Sequence, residues 1–421
     1  AAAVAALAAY AGAVAVDRTD GRPAEAFLTR ARAAHRAVPW AYAAPLEPEP
    51  RGVNLFGQFR APIGLGSLSQ GAAAAWRQAG YAVREIMLTN ANTPDDLCVD
   101  ELLPHFAFNY PRNFVVTYPH IDYDLQALYP RCFFAGRENI GFFAWEQRDF
   151  HPAWRERLRP YDRLFALSQF AAEAVARGMG RRVDWLPAVV EVDAAQAARY
   201  DRAHFGIPAD RFVLGYVCDA SSSIERKNPL GTMAAIGRAM RHESRAFVVL
   251  KVTNGDRPPY DGVVDAIRRA LRDHGIEHLV VSRHLPRAEV HGLIGCCDVY
   301  VSLHRAEGFG YTIAEAMQLG VPVVATGYSG NMDFMREANA YVVGYRETVL
   351  RRGDGPFQPG SVWAEPDLEH AAALIRASFE DRDAARRKAR QAASDTRALC
   401  SAASVGRRLA ALLDLPLAGA T

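Results

Sequence analysis

The sequence has few of the features that mark membrane-spanning, nucleic-acid-binding or disulfide-stabilised proteins. It contains no run of roughly 18 apolar residues, so we predict no membrane-spanning helix. The formal net charge is only +2, which gives no electrostatic basis for binding nucleic acid. The six cysteines form no C-x-x-C pair and none lies at ligand spacing from a histidine. We therefore expect neither a structural zinc site nor a disulfide framework, and a reducing cytoplasm is the expected location.

Lysine is also scarce, because only three of the 49 basic residues are lysines: Lys227, Lys251 and Lys388. In such an arginine-rich chain, a retained lysine indicates a place that favours a compact ammonium over a planar guanidinium. The Ala-rich start, residues 1–16, lacks the basic region of a signal peptide. We expect a surface helix there, within an N-terminal helical extension over residues 1–50. An arginine-bearing helix at Phe27–Arg36 allows at most peripheral contact with the inner membrane face.

Two series of short apolar runs rich in β-formers alternate with helical stretches. Strands are predicted at Val53–Phe59, Tyr81–Met87, Phe114–Tyr118, Asn139–Ala144 and Arg163–Leu167, and then at Phe212–Val217, Ala246–Lys251, Leu279–Val281, Val299–Ser302 and Pro322–Ala325. This alternation predicts βαβ units and parallel sheets. The fold class is therefore α/β, with two Rossmann-like doubly wound domains, at 51–205 and 206–400, facing across a cleft. Ligands of such sheets bind outside the carboxyl ends of the strands.

The most informative segment is Glu307-Gly-Phe-Gly-Tyr-Thr-Ile-Ala-Glu315, which follows a predicted strand and opens a helix. Glu307 lies on the loop and Glu315 about one helical turn inside the helix. Gly308 and Gly310 allow a ligand to approach the backbone, and amides at a helix start favour an anion such as diphosphate. Carboxylates accept hydrogen bonds from sugar hydroxyls. The spacing therefore suits a nucleotide sugar, although a Gly-containing loop alone is weak evidence.

This string resembles the E-x7-E signature of retaining glycosyltransferases with the GT-B fold, family GT4 (glycosyltransferase group 1). The segments Ile224–Pro229, Val321–Asp333 and Asn139–Glu146 also resemble parts of that family. The resemblance covers roughly Gly52–Leu413 and is more specific in the second half. It implies the GT-B fold, an acceptor-binding domain at 51–205 and a donor-binding domain at 206–400. It also implies a C-terminal helix, 401–421, that folds back on the first domain.

The resemblance assigns roles in the donor half. Glu307 faces the donor sugar, Glu315 holds the ribose, and Lys227 neutralises the leaving diphosphate with Arg226 beside it. The family often has another arginine where this chain has Ser221, which leaves the role of Arg226 open. The remaining implied donor contacts are the backbone around Gly308, Phe309, Gly310, Tyr311 and Thr312, the Gly-rich turn with Gly64 and Gly66, and base contacts from Ser282 and Arg283.

The first half should supply the acceptor wall. The family often has a histidine at the strand end where this chain has Trp145 and Glu146. Trp145 is predicted to stack on a sugar and Glu146 to bind a sugar hydroxyl or orient the acceptor, while a core tryptophan beside a surface glutamate stays an open alternative. His120 is a further candidate contact. A dinucleotide site at Gly64 is disfavoured because Ser69 replaces the third glycine of its fingerprint.

The expected function is a retaining glycosyltransferase that moves a hexose from a nucleoside-diphosphate sugar to a hydroxyl of a glycan, lipid-linked or small-molecule acceptor. GDP-mannose is the preferred donor, and a UDP-sugar is the second choice. No cofactor or metal is expected, although Asp122-Tyr-Asp124 and Asp381-Arg-Asp383 spell the D-x-D triplet that binds metal in another transferase fold. The alternatives are a nucleotide-sugar epimerase or phosphorylase of the same fold, or a non-catalytic scaffold subunit.

Overall fold

The computed structural model describes residues 51–60, 64–88, 110–119, 134, 136–255, 260–354 and 356–417. The predicted N-terminal extension at 1–50, the candidate contact His120 and the Asp122–Asp124 triplet lie outside the described residues. None of the helices in the described ranges is long and apolar enough to cross a membrane.

The first half is built on a six-stranded parallel sheet with the order β2-β1-β3-β4-β5-β6. Its strands are β1 (Gly52–Gly57), β2 (Ala82–Met87), β3 (Arg112–Thr117), β4 (Glu138–Phe143), β5 (Arg163–Ala166) and β6 (Asp184–Trp185). Its helices are α1 (Gly64–Gln78), α2 (Arg155–Leu158), which follows a 3-10 turn at Pro152–Trp154, and α3 (Gln169–Met179). Strands β1, β3 and β4 are almost entirely buried, as expected for a parallel sheet covered on both faces.

The second half has a six-stranded parallel sheet with the order β12-β11-β10-β7-β8-β9. Its strands are β7 (Phe212–Asp219), β8 (Ala246–Thr253), β9 (Glu277–Val281), β10 (Val299–Ser302), β11 (Val323–Thr326) and β12 (Tyr341–Val343). The helices from α4 onward are α4 (Ala194–Ala197), α5 (Arg202–Phe205), α6 (Ile224–Lys227), α7 (Pro229–Ala239), α8 (Asp261–Asp273), α9 (Arg287–Gly295), α10 (Tyr311–Gln318), α11 (Leu368–Glu380), α12 (Arg382–Cys400) and α13 (Ala402–Leu412). The predicted α/β class with two doubly wound sheets is confirmed.

One local prediction differs from the structure, and several elements, among them the strands β6 and β12, were not predicted. Helix α1 begins at Gly64, so Gly64 and Gly66 lie in its first turn and not in a separate Gly-rich turn before it. An antiparallel hairpin of β13 (Tyr345–Val349) and β14 (Val362–Pro366) follows β12, where the sequence indicated no element. A 3-10 turn also forms at Gly330–Asp333, within the predicted strand–loop segment.

The chain leaves the first sheet earlier than the boundary predicted at residue 205. The residues between β6 and α4 form no helix or strand, and α4 packs on α9 of the second half. A Cβ at Gly292 in α9 would lie 2.5 Å from the Tyr200 side chain and 2.8 Å from the Ala197 carbonyl oxygen. Residues 194–205 therefore belong with the second half, because their helices pack on α9 and not on the first sheet.

The C-terminal helix α13 packs along α1 of the first half. Its approach is close, since a Cβ at Gly406 would lie 2.5 Å from the backbone oxygen of Ala75. Arg163 donates to the Leu412 carbonyl at 2.6 Å, and the Tyr81 hydroxyl donates to the Pro416 carbonyl at 3.2 Å. The last segment of the chain thus closes the outer face of the first sheet.

We predict that Gly406→Ala destabilises the protein by about 1–3 kcal/mol, because the added methyl group must push α13 away from α1. Gly295→Ala is the matched control. A Cβ at this helical glycine meets nothing within 4 Å, so its stability should be equal or slightly higher. Urea denaturation of both variants measures the difference, and equal stability of the two variants would contradict the close approach.

Candidate active site

Glu307 lies on the loop after β10, at the carboxyl edge of the second sheet, and two cations hold its carboxylate. The Lys227 ammonium donates to Oε1 at 2.5 Å, and the Arg226 guanidinium lies 3.4 Å from Oε2. Arg226 is only 3% exposed, and it also donates to the Ala306 carbonyl at 2.6 Å and to the Ser222 hydroxyl at 3.0 Å. The two sequence segments predicted to bind donor are therefore in direct contact.

The single turn of α6 explains why adjacent residues reach the same carboxylate. The turn ends at Asn228, which has a left-handed backbone (φ 51°) and begins α7, where its side chain accepts from the Gly231 amide. The Asn228 amide also donates to the Leu303 carbonyl at 2.8 Å, which ties α6 to the end of β10. The Tyr216 hydroxyl donates to the Lys227 carbonyl at 2.5 Å. The short turn is thus anchored at its end to two neighbouring strands.

The electrostatics of this cluster keep it ionised. Burial raises the pKa of Glu307, but Lys227 and Arg226 outweigh burial and bring it down to about 2. Burial lowers the pKa of Arg226, but the carboxylates of Glu307 and Glu146 outweigh this and raise it. Glu307 is therefore an anion, and Arg226 a cation, throughout the physiological pH range.

The backbone of Glu307 is fixed by the turn after β11. Ser329 has φ 74° and ψ −148°, a region that side-chain-bearing residues rarely occupy. Its hydroxyl accepts from the Glu307 amide at 2.8 Å, and the Gly330 amide donates to the Glu307 carbonyl at 2.9 Å. A Cβ at Gly330 would lie 2.0 Å from the Gly308 oxygen, so only glycine fits there. Sequence reasoning missed this role of Ser329, although it had marked the Val321–Asp333 segment.

Helix α10 presents its N-terminus beside this carboxylate. It begins after Gly310, whose φ of 93° is accessible to glycine at little cost. No side chain caps this helix, and its first turn contains no acidic residue. The Phe309 ring is buried against Phe334 and Tyr311, so only the backbone of Phe309 can face a ligand. The Thr312 hydroxyl accepts from the Tyr300 hydroxyl at 2.7 Å.

Glu315 is buried one turn further along α10. Its Oε1 lies 3.2 Å from the Arg287 guanidinium and 3.3 Å from the His291 ring nitrogen Nε2. Both partners come from α9, and neither had been identified from the sequence. Their spacing of four residues on one helix was the available signal, since it places both on the same face.

The first half approaches this site through the loop after β4. A Cβ at Gly308 would lie 3.1 Å from the Trp145 carbonyl oxygen and 3.5 Å from Glu146 Cγ. Burial raises the pKa of Glu146, and the positive charge of Arg226 opposes that shift. Tyr118, at the end of β3, is close enough for Glu146 and Arg226 to act on its pKa, which burial raises. Sequence reasoning had considered only His120 in that segment.

The prediction that Trp145 stacks on a sugar is wrong. The side chain is 2% exposed and its indole nitrogen donates to the Asp149 carbonyl at 3.0 Å. Its ring packs edge-on against Trp154 at 4.8 Å and tilted against Phe357 at 5.8 Å. A sugar cannot reach either face, so Trp145 supports the loop that carries Glu146.

The other predicted contacts differ in their surroundings. Ser282 and Arg283 follow β9 at the same sheet edge, and Arg283 pairs with Glu289 at 2.5 Å. A Cβ at Gly64 would lie 3.8 Å from the Tyr311 ring, which places the start of α1 against α10. Asp381 of the second D-x-D triplet caps α12. The described residues contain no group of three or more His, Cys, Asp or Glu side chains that could hold a metal ion.

The β13–β14 hairpin joins the two halves over the site. Arg148 of the first half pairs with Glu347 at 3.0 Å, and the Val362 amide donates to Asp149 at 3.3 Å. At the tip, Phe357 packs on Trp145, and the Arg226 guanidinium lies 5.8 Å from the centre of its ring. The two halves are therefore closed on each other around Arg226.

A second contact between the halves is expected to depend on pH. Asp333 accepts from the Gln169 amide at the start of α3, at 2.9 Å. Burial raises the pKa of Asp333 from 3.8 to about 6, although the two bonds from Gln169 oppose this. As pH rises, the Asp333 carboxyl loses its proton in the unfolded chain at a lower pH than in the folded protein. Its ionisation therefore lowers the free energy of unfolding progressively between about pH 4 and pH 6.

We therefore predict that Asp333→Asn stabilises the protein at pH 7.5, by at most about 3 kcal/mol, because asparagine can still accept from Gln169. The gain should vanish below about pH 4, where both states are protonated. The control is Asp395→Asn. Burial raises the pKa of Asp395, but bonds from Asn339, Gln391 and Arg336 outweigh it and lower the pKa, so this variant should lose stability at pH 7.5. Denaturation measured at several pH values shows whether each variant gains or loses free energy of unfolding. A loss of stability in Asp333→Asn at pH 7.5 would contradict the prediction.

Comparison with known proteins is consistent with this geometry. Residues 264–395 match the family model of the glycosyl transferases group 1. Over 247 residues the chain is 27% identical to a 2-deoxystreptamine glucosyltransferase of Streptomyces kanamyceticus. That match covers 53% of this chain, and it spans only 61% of the length of the relative.

Solved structures share the fold over most of the chain. HepE from Anabaena, solved in complex with UDP and glucose, is 16% identical, with a TM-score of 0.60 over 86% of this chain and 99% of its own. A glycosyltransferase from Rickettsia africae is 11% identical, with a TM-score of 0.63 over 86% of this chain and 98% of its own. Sucrose-phosphate synthase from Thermosynechococcus elongatus is 16% identical, with a TM-score of 0.60 over 86% and 98%. Glu307 and α10 lie inside the segment that matches the group 1 glycosyl transferases, and the described chain shares the GT-B fold of these solved structures.

Proposed function

We propose that the protein is a retaining glycosyltransferase that moves a hexose from a nucleoside-diphosphate sugar to an acceptor hydroxyl. The observation that carries this proposal is the contact of Lys227 and Arg226 with Glu307 beside the uncapped N-terminus of α10. Two cations and a helix start suit a diphosphate, and two carboxylates suit the sugar hydroxyls on either side of it.

The donor is proposed to carry glucose, with UDP-glucose placed before GDP-mannose. This order reverses the expectation from the sequence. It rests on the names of similar proteins, since one relative is a glucosyltransferase and HepE was also solved with UDP-glucose. These are properties of those proteins, and at such identities they guide the choice of substrates to test.

The chemistry proposed for the site is electrostatic. Lys227 is 19% exposed and can turn from Glu307 toward a diphosphate, where its ammonium and the amides of α10 would stabilise the developing negative charge. The Glu307 carboxylate, freed on one side, would accept from a donor-sugar hydroxyl. Glu146 on the opposite wall would bind the acceptor hydroxyl. Closure over Arg226 by the β13–β14 hairpin would exclude water and limit donor hydrolysis.

The alternative functions fit the site less well, and the surroundings of the three lysines argue against a phosphorylase. A phosphorylase would need phosphate, or a lysine for pyridoxal phosphate. Lys227 is paired with Glu307, Lys251 is buried within β8, and Lys388 on α12 donates to backbone carbonyls. A scaffold subunit would not require the ion pairs around Glu307. An epimerase would convert the nucleotide sugar without an acceptor.

A thermal-shift panel with UDP, GDP, ADP, TDP and NAD tests the proposal. A ligand present at about 100 times its dissociation constant stabilises the folded state by roughly 2.7 kcal/mol. We expect a shift with one nucleoside diphosphate and none with NAD. A shift with NAD alone, or with no ligand, would refute the transferase assignment. Conversion of the nucleotide sugar without any acceptor would favour an epimerase.

We also propose that turnover needs no metal, because Lys227 and Arg226 supply the positive charge that a divalent ion would otherwise provide. Activity with the nucleotide sugar identified above should be the same in EDTA and in buffer. Loss of activity in EDTA with recovery on adding manganese would show that the cations of the protein are not sufficient.

A further inference from the structure

A chain of polar contacts crosses the cleft at Arg287. Its guanidinium donates from one nitrogen to the Ser67 hydroxyl of α1, at 3.1 Å, and from the other to Oε1 of Glu315, at 3.2 Å. Ser67 belongs to the first half, whereas Arg287 and Glu315 belong to the second. The arginine is 41% exposed, so it lies at the opening of the cleft and not in the core. This bridge can exist only while the halves are closed.

A buried histidine approaches the same carboxylate oxygen. His291 is 4% exposed, and its Nε2 lies 3.3 Å from Oε1 of Glu315 without forming an aligned hydrogen bond to any described residue. Arg287 and His291 therefore both face Oε1. Within the described part of the chain, no side chain or amide donates to Oε2 of Glu315. The carboxylate is thus held at one oxygen and presents the other.

Building on the proposed function, we propose that Arg287 is a positioning residue that couples recognition of the donor ribose to closure of the cleft. With the cleft closed, Ser67 orients the guanidinium, the guanidinium holds Oε1, and Oε2 accepts from a ribose hydroxyl. When the cleft opens, the Ser67 contact is lost and Glu315 is free to change rotamer. Ribose hydroxyls then contribute little to binding, so the nucleotide is recognised fully only in the closed state.

The test compares nucleotides that differ only in the ribose hydroxyls. We would measure binding of UDP and of 2′,3′-dideoxy-UDP to the full chain by calorimetry, and repeat this with GDP and its dideoxy analogue. A hydroxyl bonded to a carboxylate is worth roughly 10- to 100-fold in affinity, so wild type should prefer the ribonucleotide by about that factor. Arg287→Ala should reduce the preference to less than about 3-fold, Ser67→Ala should reduce it partly, and Arg287→Lys should restore part of it.

Arg148→Ala is the matched control, because Arg148 also links the two halves and is 40% exposed but pairs with Glu347, away from Glu315. It should weaken binding of both nucleotides together and keep their ratio. Circular dichroism confirms that each variant folds. If Arg287→Ala lowers both affinities equally, or if Arg148→Ala also abolishes the preference, the inference is overturned while the proposed function stands. If the wild type binds neither UDP nor GDP, the proposed function fails, and this inference fails with it.

Discussion

Glu307→Gln should reduce sugar transfer by about 100- to 1000-fold while the nucleoside diphosphate still binds. Glutamine has the same size, and its oxygen can still accept from Lys227, but it removes the charge that we propose faces the donor sugar. The Lys227 ammonium is then no longer neutralised, so its attraction for diphosphate should be equal or greater. The expected result is a large loss of kcat with an unchanged or lower Kd for the nucleotide. Steady-state kinetics and calorimetry measure the two effects separately.

Glu347→Gln is the control for this prediction. Glu347 also pairs with an arginine, Arg148, but it is 52% exposed and lies on the hairpin. Its loss should change turnover little, since exposed pairs contribute at most about 1 kcal/mol. Turnover near that of wild type in Glu307→Gln would contradict the assignment of Glu307 to the donor sugar. A parallel loss of nucleotide affinity would instead indicate a role in building the phosphate site.

Arg226→Met should cause the largest loss of stability among the site variants, about 3–5 kcal/mol. The guanidinium is buried and satisfies Glu307, the Ala306 carbonyl and the Ser222 hydroxyl. Methionine fills most of the volume but leaves the acceptors without a donor and the Glu146–Glu307 pair without its shared cation. The pKa of Glu146 should rise further, because Arg226 is the strongest influence that lowers it.

Urea denaturation followed by fluorescence measures this loss, and Arg148→Met provides the comparison. Both arginines lie where the halves meet, but Arg148 is 40% exposed, so its removal should cost no more than about 1 kcal/mol. Equal midpoints for the two variants would mean that burying Arg226 costs as much free energy as its ion pairs return. In that case its role would be confined to binding.

The sequence predicted five of the six strands in each sheet, because these strands are short apolar runs, which are a local property. The two-residue strand β6 and the three-residue strand β12 were not predicted. Strand β10 was predicted with its observed bounds, and β5 and β11 to within one residue at either end. The start of α1 was predicted too late in the chain, because two glycines and a serine suggested a turn there. In the structure these residues are helical, since the helix packs on β1. The β13–β14 hairpin was missed, because Tyr345–Val349 alternates weakly and is largely exposed.

The sequence alone also determined the site segments, since the carboxyl ends of parallel strands bring their loops to one edge wherever the strands pair. It selected Glu307, Glu315 and Lys227 as candidate donor-binding residues from spacing, resemblance and the scarcity of lysine. Only the tertiary structure decided which of these groups touch and what surrounds them. Trp145 became a core residue because the Phe357 loop covers it, and Ser67 met Arg287, 220 positions away in the chain. Such contacts depend on how the two sheets pack against each other, and no local pattern of residues encodes a contact between segments so far apart in the chain.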